Sequence, residues 1–145
     1  MTIEVVPLLD DARTLAAVDA ILIAARPLLV PADGLLESAR ARLEDEGTGR
    51  AVFYAKHEDT ALGVIDAAME PGVLIVAQIA VSERRRHSGV GRALVRTAAR
   101  WGASRGADAI EAHLLSEASV GFGWSLGFER VGSSRYRAPV VGRFQ

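Results

Sequence analysis

The stretch from Val73 to Leu115 constrains the fold more than any other part of the chain. An apolar run, VLIVAQIAV, gives way at Arg86, His87, Ser88, Gly89, Val90 and Gly91, which spell RxxGxG, to a helix-patterned run, RALVRTAARWGASR. Gly106 ends that run, and Asp108 to Leu115 again reads as a strand. Strand, glycine turn, helix and strand make one βαβ unit, which requires its two strands to be parallel. A glycine turn that opens a helix aims several backbone N–H groups at one point, where the helix dipole adds partial positive charge. Glycine is needed there if the backbone takes positive φ or approaches a ligand closely. The prediction is a phosphate site at the start of the helix.

The rest of the chain limits what can surround that unit. Thr2 to Leu8 alternates weakly as a short strand, and Asp10 or Asp11 caps a helix with Leu15, Val18, Ile21 and Leu22 on one face, stopped before Pro27. After the proline-bounded RPLLVPADG, Asp33 caps a second helix carrying Leu36, Ala39 and Leu43 and closed by Gly47. Residues 51–56 and 62–69 read as strands joined at His57, Glu58, Asp59 and Thr60, and Pro71 and Gly72 turn the chain into the run beginning at Val73. These three strands form an antiparallel meander. The helix from Gly89 to Arg105 buries Val90, Leu94, Ala98 and Trp101. A short helix from Ser116 to Leu126 and a final strand pair through Tyr136 close the chain. The expected class is α/β (α+β): a mixed central sheet, meander first and βαβ unit second, with helices on both faces.

At 145 residues the chain is read as one domain, residues 1–145, able to bury a core without disulfides, and its lack of cysteine excludes thiolate chemistry. No apolar stretch of about 18 residues could span a bilayer, and MTIEVVPLLDD lacks the pattern of a signal peptide. The expectation is a soluble cytoplasmic protein with no membrane partner.

The net charge of −1 conceals an asymmetry: residues 1–72 carry thirteen acidic and six basic side chains, and residues 73–145 carry five acidic and eleven basic. Between Arg84 and Arg105 there are seven arginines and no carboxylate, a composition suited to an anionic ligand. Arg96 and Arg100 fit a solvated helix face, whereas Arg92 lies in the first turn beside the glycines. Nucleic acid is disfavoured, because the few aromatic residues are not interleaved with the arginines.

Three glycine-rich phosphate sites compete. A nucleotide P-loop needs GxxxxGK followed by Ser or Thr, and the only lysine here is Lys56. A dinucleotide fold needs GxGxxG, and Leu94 stands where its third glycine or alanine belongs, although Glu111, twenty residues past Gly91, has the spacing of a ribose-binding acid. That reading stays open as a remote alternative. The third site fits best: IAVSERRRHSGVGRALV, preceded by a meander and followed by a strand and SLGFER, resembles the GNAT superfamily of acetyl-CoA-dependent N-acetyltransferases over essentially the whole chain.

The resemblance implies a GNAT-like sheet, acetyl-CoA as co-substrate and no metal. It implies that the turn from Arg86 through His87, Ser88, Gly89, Val90 and Gly91 to Arg92 holds the cofactor diphosphate through main-chain N–H groups. It implies further that the preceding strand bulges and pairs its backbone, at Ile79, Ala80 and Val81, with the pantetheine arm. The acceptor would be a primary amine of a small molecule or a protein. The apolar Leu28, Leu29 and Val30, near the family's acceptor pocket, are read as core anchors, with an acceptor wall or a homodimer contact as alternatives.

Catalytic residues are not assigned. The family often has asparagine, alanine and tyrosine before Gly-Phe where this chain has Ser116, Ser119 and Gly123, so the usual tyrosine general acid is missing. Water, Tyr54 or Tyr136 are its candidate substitutes, and Trp124 is read as an apolar wall. Asp66, Glu70 and Glu83 are candidate bases that each read more readily as solvated carboxylates; His57 reads as exposed, and His113 is a candidate site residue. A catalytically degenerate acyl-CoA-binding sensor is the second functional reading.

Overall fold

A computed structural model describes residues 2–29, 37–44, 49–82, 88–114 and 117–140. The chain runs β1 (Glu4–Pro7), α1 (Ala12–Leu29), α2 (Ala39–Glu44), β2 (Arg50–His57), β3 (Thr60–Glu70), β4 (Val73–Val81), α3 (Val90–Ala103), β5 (Ala109–His113), α4 (Glu117–Ser125), β6 (Glu129–Arg130) and β7 (Arg135–Pro139). The strands form one seven-stranded sheet in the order β1-β2-β3-β4-β5-β7-β6. Every neighbouring pair is antiparallel except β4 and β5, which are parallel across α3. The expected mixed sheet and meander are present, and β7 inserts between β5 and β6.

Each face of the sheet carries its own core. Val90, Leu94, Ala98 and Ala99 of α3 close over Phe53, Ile65, Leu74 and Ile110 on one face, with Phe122 of α4 packed alongside. On the other face Leu15, Val18, Ile21, Leu22 and Ala25 of α1 cover Val52, Tyr54, Val64 and Ala80. The spacing of those α1 residues is the apolar stripe that drives helix formation. At its N-terminus, Thr14 donates its N–H (2.8 Å) and its hydroxyl (2.7 Å) to the Asp11 carboxylate, which holds that carboxyl below its ordinary range.

Several boundaries depart from the sequence expectation. α1 does not stop before Pro27 but runs to Leu29: packing of its apolar face outweighs the one amide that proline withholds from the ladder. The described part of α2 is entered at Ser38, whose Oγ accepts the Ala41 N–H at 3.1 Å; Asp33, Leu36 and Gly47 lie outside the described residues. Trp101 is only half-buried, because it sits near the end of α3 with the Arg105 guanidinium 4.3 Å above its ring. No described helix is long and apolar enough to cross a membrane.

Candidate functional site

The parallel pair β4 and β5 separates early. Their ladder covers four residue pairs, from Val73 with Ala109 to Val76 with Ala112. On the other side of β4 the pairing steps from Ala67 with Val76 to Asp66 with Gln78, leaving Ala77 as an extra residue. This is a β-bulge, which bends its strand and re-aims the side chains beyond it. Leu74 and Val76 before it point into the α3-side core, and the same core receives Ile79 and Val81 after it, while Ala80 joins the α1-side core. Side chains alternate strictly along an unbroken strand, so the extra residue accounts for the switch from even to odd positions.

The bulge also decides where the amides point. Ser82 N–H donates to Leu62 O of β3 at 2.8 Å. In an antiparallel ladder such bonds recur at every second residue, so Ala80 and Gln78 turn their amides toward β3, and Ile79 and Val81 turn theirs toward the gap beside β5. Ile79 and Val81 thus combine core side chains with main-chain N–H groups at a sheet opening.

Later in the chain, Gly89 is the N-cap of α3 with φ +88° and ψ 1°, and no side chain among the described residues caps the helix. A Cβ built on Gly89 would meet nothing within 4 Å. Ser88 and Arg92 are exposed beside the first amides of α3. Val90 differs: its side chain is fully buried, packed where a Cβ on Gly63 would meet Val90 Cγ1 at 3.1 Å, leaving only its backbone facing outward. Arg86 and His87 lie outside the described residues.

Gly91 has a reason different from the expected one. A Cβ there would come within 2.9 Å of Phe122 Cζ, so the missing side chain admits an aromatic ring from α4 and leaves no vacancy for a ligand. Gly123 is similar: its Cβ would lie 2.4 Å from Leu114 Cδ1. A tyrosine at this position has no room without moving Leu114. The two substitutes are both buried, Tyr54 in the α1-side core and Tyr136 in the α3-side core. Trp124 is no wall of a cleft; it is 64% exposed.

The candidate bases sort differently from the expectation. Asp66 is not solvated: it is 2% exposed and accepts hydrogen bonds from Arg42 Nη1 (2.5 Å) and Arg50 Nε (2.8 Å). Its carboxylate, followed by that of Glu37, raises the Arg50 guanidinium above its ordinary range. Glu70 is exposed as expected, and Glu83 lies outside the described residues. His57 is half-buried with Nδ1 2.9 Å from Thr2 O, and His113 is exposed at the end of β5, its Nδ1 3.0 Å from Ser134 Oγ.

Sequence reasoning missed one carboxylate. Glu111 was weighed only for its distance from the glycines, yet it is 7% exposed on β5, one residue before the last pair with β4. Its Oε1 accepts from Arg137 Nη2 (2.8 Å) and Nε (3.2 Å), and Oε2 has no partner among the described residues. The side chain lies on the face opposite α3, because its neighbours Ile110 and Ala112 both belong to the α3-side core. A buried acid between two alanine- or isoleucine-like neighbours was the available signal. Among the described residues, no group of three or more potential metal ligands comes together.

A bulged strand parting from its parallel neighbour, next to an uncapped glycine-led helix, is the arrangement that the sequence resemblance implied. The family model described as the acetyltransferase (GNAT) family matches residues 17–128. The chain belongs to the GNAT acetyltransferase family. As a GNAT protein it is an acyltransferase, and its sheet, antiparallel on one side of β4, is not the doubly wound sheet of a dinucleotide fold.

Solved GNAT structures share this fold. A GCN5-related N-acetyltransferase from Kribbella flavida superposes with a TM-score of 0.75 at 20% identity, covering 94% of this chain and 97% of the other. An aminoglycoside 6'-N-acetyltransferase complexed with coenzyme A gives 0.76 at 17% identity, with 99% of both chains covered. The ribosomal-protein-S18-alanine N-acetyltransferase from Escherichia coli gives 0.67 at 15%, covering 96% of this chain and 94% of that one. No curated protein matches the chain.

Proposed function

We propose that this GNAT protein transfers an acetyl group from acetyl-CoA to a primary amine of a small molecule or a protein, by direct attack of the amine on the thioester. The observation that carries the reading is the early parting of β4 and β5 at the Ala77 bulge, with the Ile79 and Val81 amides facing the gap and the uncapped start of α3 beside it. The amides of Val90, Gly91 and Arg92 hold the diphosphate, and the free amides of β4 hold the pantetheine arm. Open space at Gly89 fits a phosphate group, and the named acetyltransferase with bound coenzyme A has the same fold. Arg86, His87 and the exposed Ser88 are assigned by sequence to the same phosphate-binding segment, in a cytoplasmic protein.

Chemistry asks little more of the chain. Holding amine and thioester together supplies effective concentration, and the Val81 N–H stabilises negative charge growing on the carbonyl oxygen. The amine nitrogen bonds to the carbonyl carbon, the carbon–sulfur bond breaks, and sulfur leaves as a thiolate whose conjugate acid has a pKa of about 8.5, so no general acid is obligatory. The nitrogen's proton goes to Glu111 Oε2, the carboxylate oxygen that has no partner among the described residues, on the sheet face opposite α3. This matters most for lysine-like acceptors, charged at pH 7 with a pKa of about 10.4.

Following thiol release from acetyl-CoA against a panel of amines tests both proposals. Steady amine-dependent release is expected, and Glu111→Gln lowers kcat for a lysine-like acceptor by about 10² to 10⁴, with a smaller loss for an α-amine. One observation favours a second reading, a degenerate acyl-CoA sensor: Leu114 fills the space that a tyrosine at Gly123 would need. Binding of acetyl-CoA with no turnover on any amine would select it.

A further inference from the structure

Arg42 is an anomaly that the proposed chemistry does not use. It sits on the six-residue α2, yet it is among the most completely buried large side chains in the protein, at 2% exposure. A guanidinium is costly to bury unless every donor is answered. Here Nη1 donates to Asp66 Oδ2 at 2.5 Å, Nε donates to Glu37 O at 3.1 Å, and Nη2 donates to Gln78 Oε1. Arg50 completes a charge-balanced set, donating to Asp66 and, at 2.6 Å, to Glu37 Oε1.

The two strand residues that Arg42 joins have a particular place in the sheet. Asp66 and Gln78 are directly paired across β3 and β4, and theirs is the last pair before the extra residue Ala77. Arg42 therefore spans the bulge from the α1-side face and holds both strands at the point where the register changes. Loss of the bulge would carry Gln78 out of register with Asp66 and reverse the direction of every amide beyond it, since side chains and amides alternate with period two.

We infer that Arg42, acting through Gln78 and Asp66, is a positioning residue that pins the bulge at Ala77 and so aims the Ile79 and Val81 amides into the gap beside β5. The inference rests on the acetyl-CoA reading for its functional consequence, though not for its structural one. Asp66 and Arg42 are thereby assigned to the cleft's geometry from the α1-side face of the sheet, as residues that act through the strand backbone.

Gln78→Met is the informative variant, because Gln78 is only half-buried and methionine keeps the chain length while removing the acceptor. Two ligands separate the ends of the cofactor: acetyl-CoA, and 3'-phosphoadenosine 5'-diphosphate, which has the diphosphate but no pantetheine arm. Gln78→Met is expected to weaken acetyl-CoA by about tenfold or more and to leave the diphosphate fragment within about twofold of the wild type. In the absence of ligand, hydrogen exchange of the amides from Ala77 to Val81 should quicken by about tenfold, with β2 unchanged. Equal weakening of both ligands would mark a general structural defect and overturn the inference, as would unchanged exchange in the Ala77 segment. Should the wild type bind neither ligand while the exchange result holds, the acetyl-CoA reading fails and the pinning of the bulge stands.

Discussion

Arg42→Met is expected to lower the free energy of unfolding by about 3 kcal/mol, the lower end of what breaking a buried ion pair costs. The side chain is 2% exposed and faces a carboxylate of equal burial, so its removal leaves Asp66 with Arg50 alone. Arg50, at 15% exposure, keeps part of the balance, which is why the loss falls short of the upper end of that range. The Gln78 amide oxygen and the Glu37 carbonyl also lose a donor. Urea denaturation is the measurement: the midpoint should fall with the slope unchanged. A loss below about 1 kcal/mol, the scale of an exposed ion pair, would contradict the burial seen here.

Gly89→Asp should separate binding from stability. At φ +88° any side chain is strained, but aspartate tolerates the left-handed region better than most residues and its carboxylate can accept the uncapped N–H groups of α3. The two effects oppose one another, so thermal stability should change by less than about 1 kcal/mol. Acetyl-CoA affinity should fall by about a hundredfold, because the new carboxylate occupies the amides that the diphosphate needs and repels it. Isothermal titration checks the first number and thermal denaturation the second. Unchanged affinity would remove the turn from the site.

Much of this was legible in the sequence because it is local. The strand, glycine turn, helix and strand from Val73 onward depend on periodicity and on glycines within a few residues of each other, and the meander depends on turns at Glu58 and Gly72. What escaped was non-local. Asp66 reads as a surface acid when only β3 is considered; its burial is permitted by an arginine 24 positions away on a helix too short to draw notice. Glu111 is hidden in the same manner, its partner Arg137 being 26 positions later. Gly91 reads in the sequence as room for a ligand and Gly123 only as the place of a missing tyrosine, whereas the constraint at Gly91 is the ring of Phe122 and at Gly123 the side chain of Leu114, neither of which spacing alone brings near. The bulge residue, Ala77, lies two positions before the segment that the resemblance marked, and an alanine in an apolar strand carries no signal of a register change.

The central claim is that main-chain amides at the start of α3 grip the diphosphate of coenzyme A. Titrating isotope-labelled protein with coenzyme A and following its amide resonances addresses it directly. The account predicts that the largest shifts fall on Val90, Gly91 and Arg92, with Ile79 and Val81 moving in parallel as the pantetheine arm docks. Saturable binding that leaves the Val90, Gly91 and Arg92 amides unmoved would contradict it.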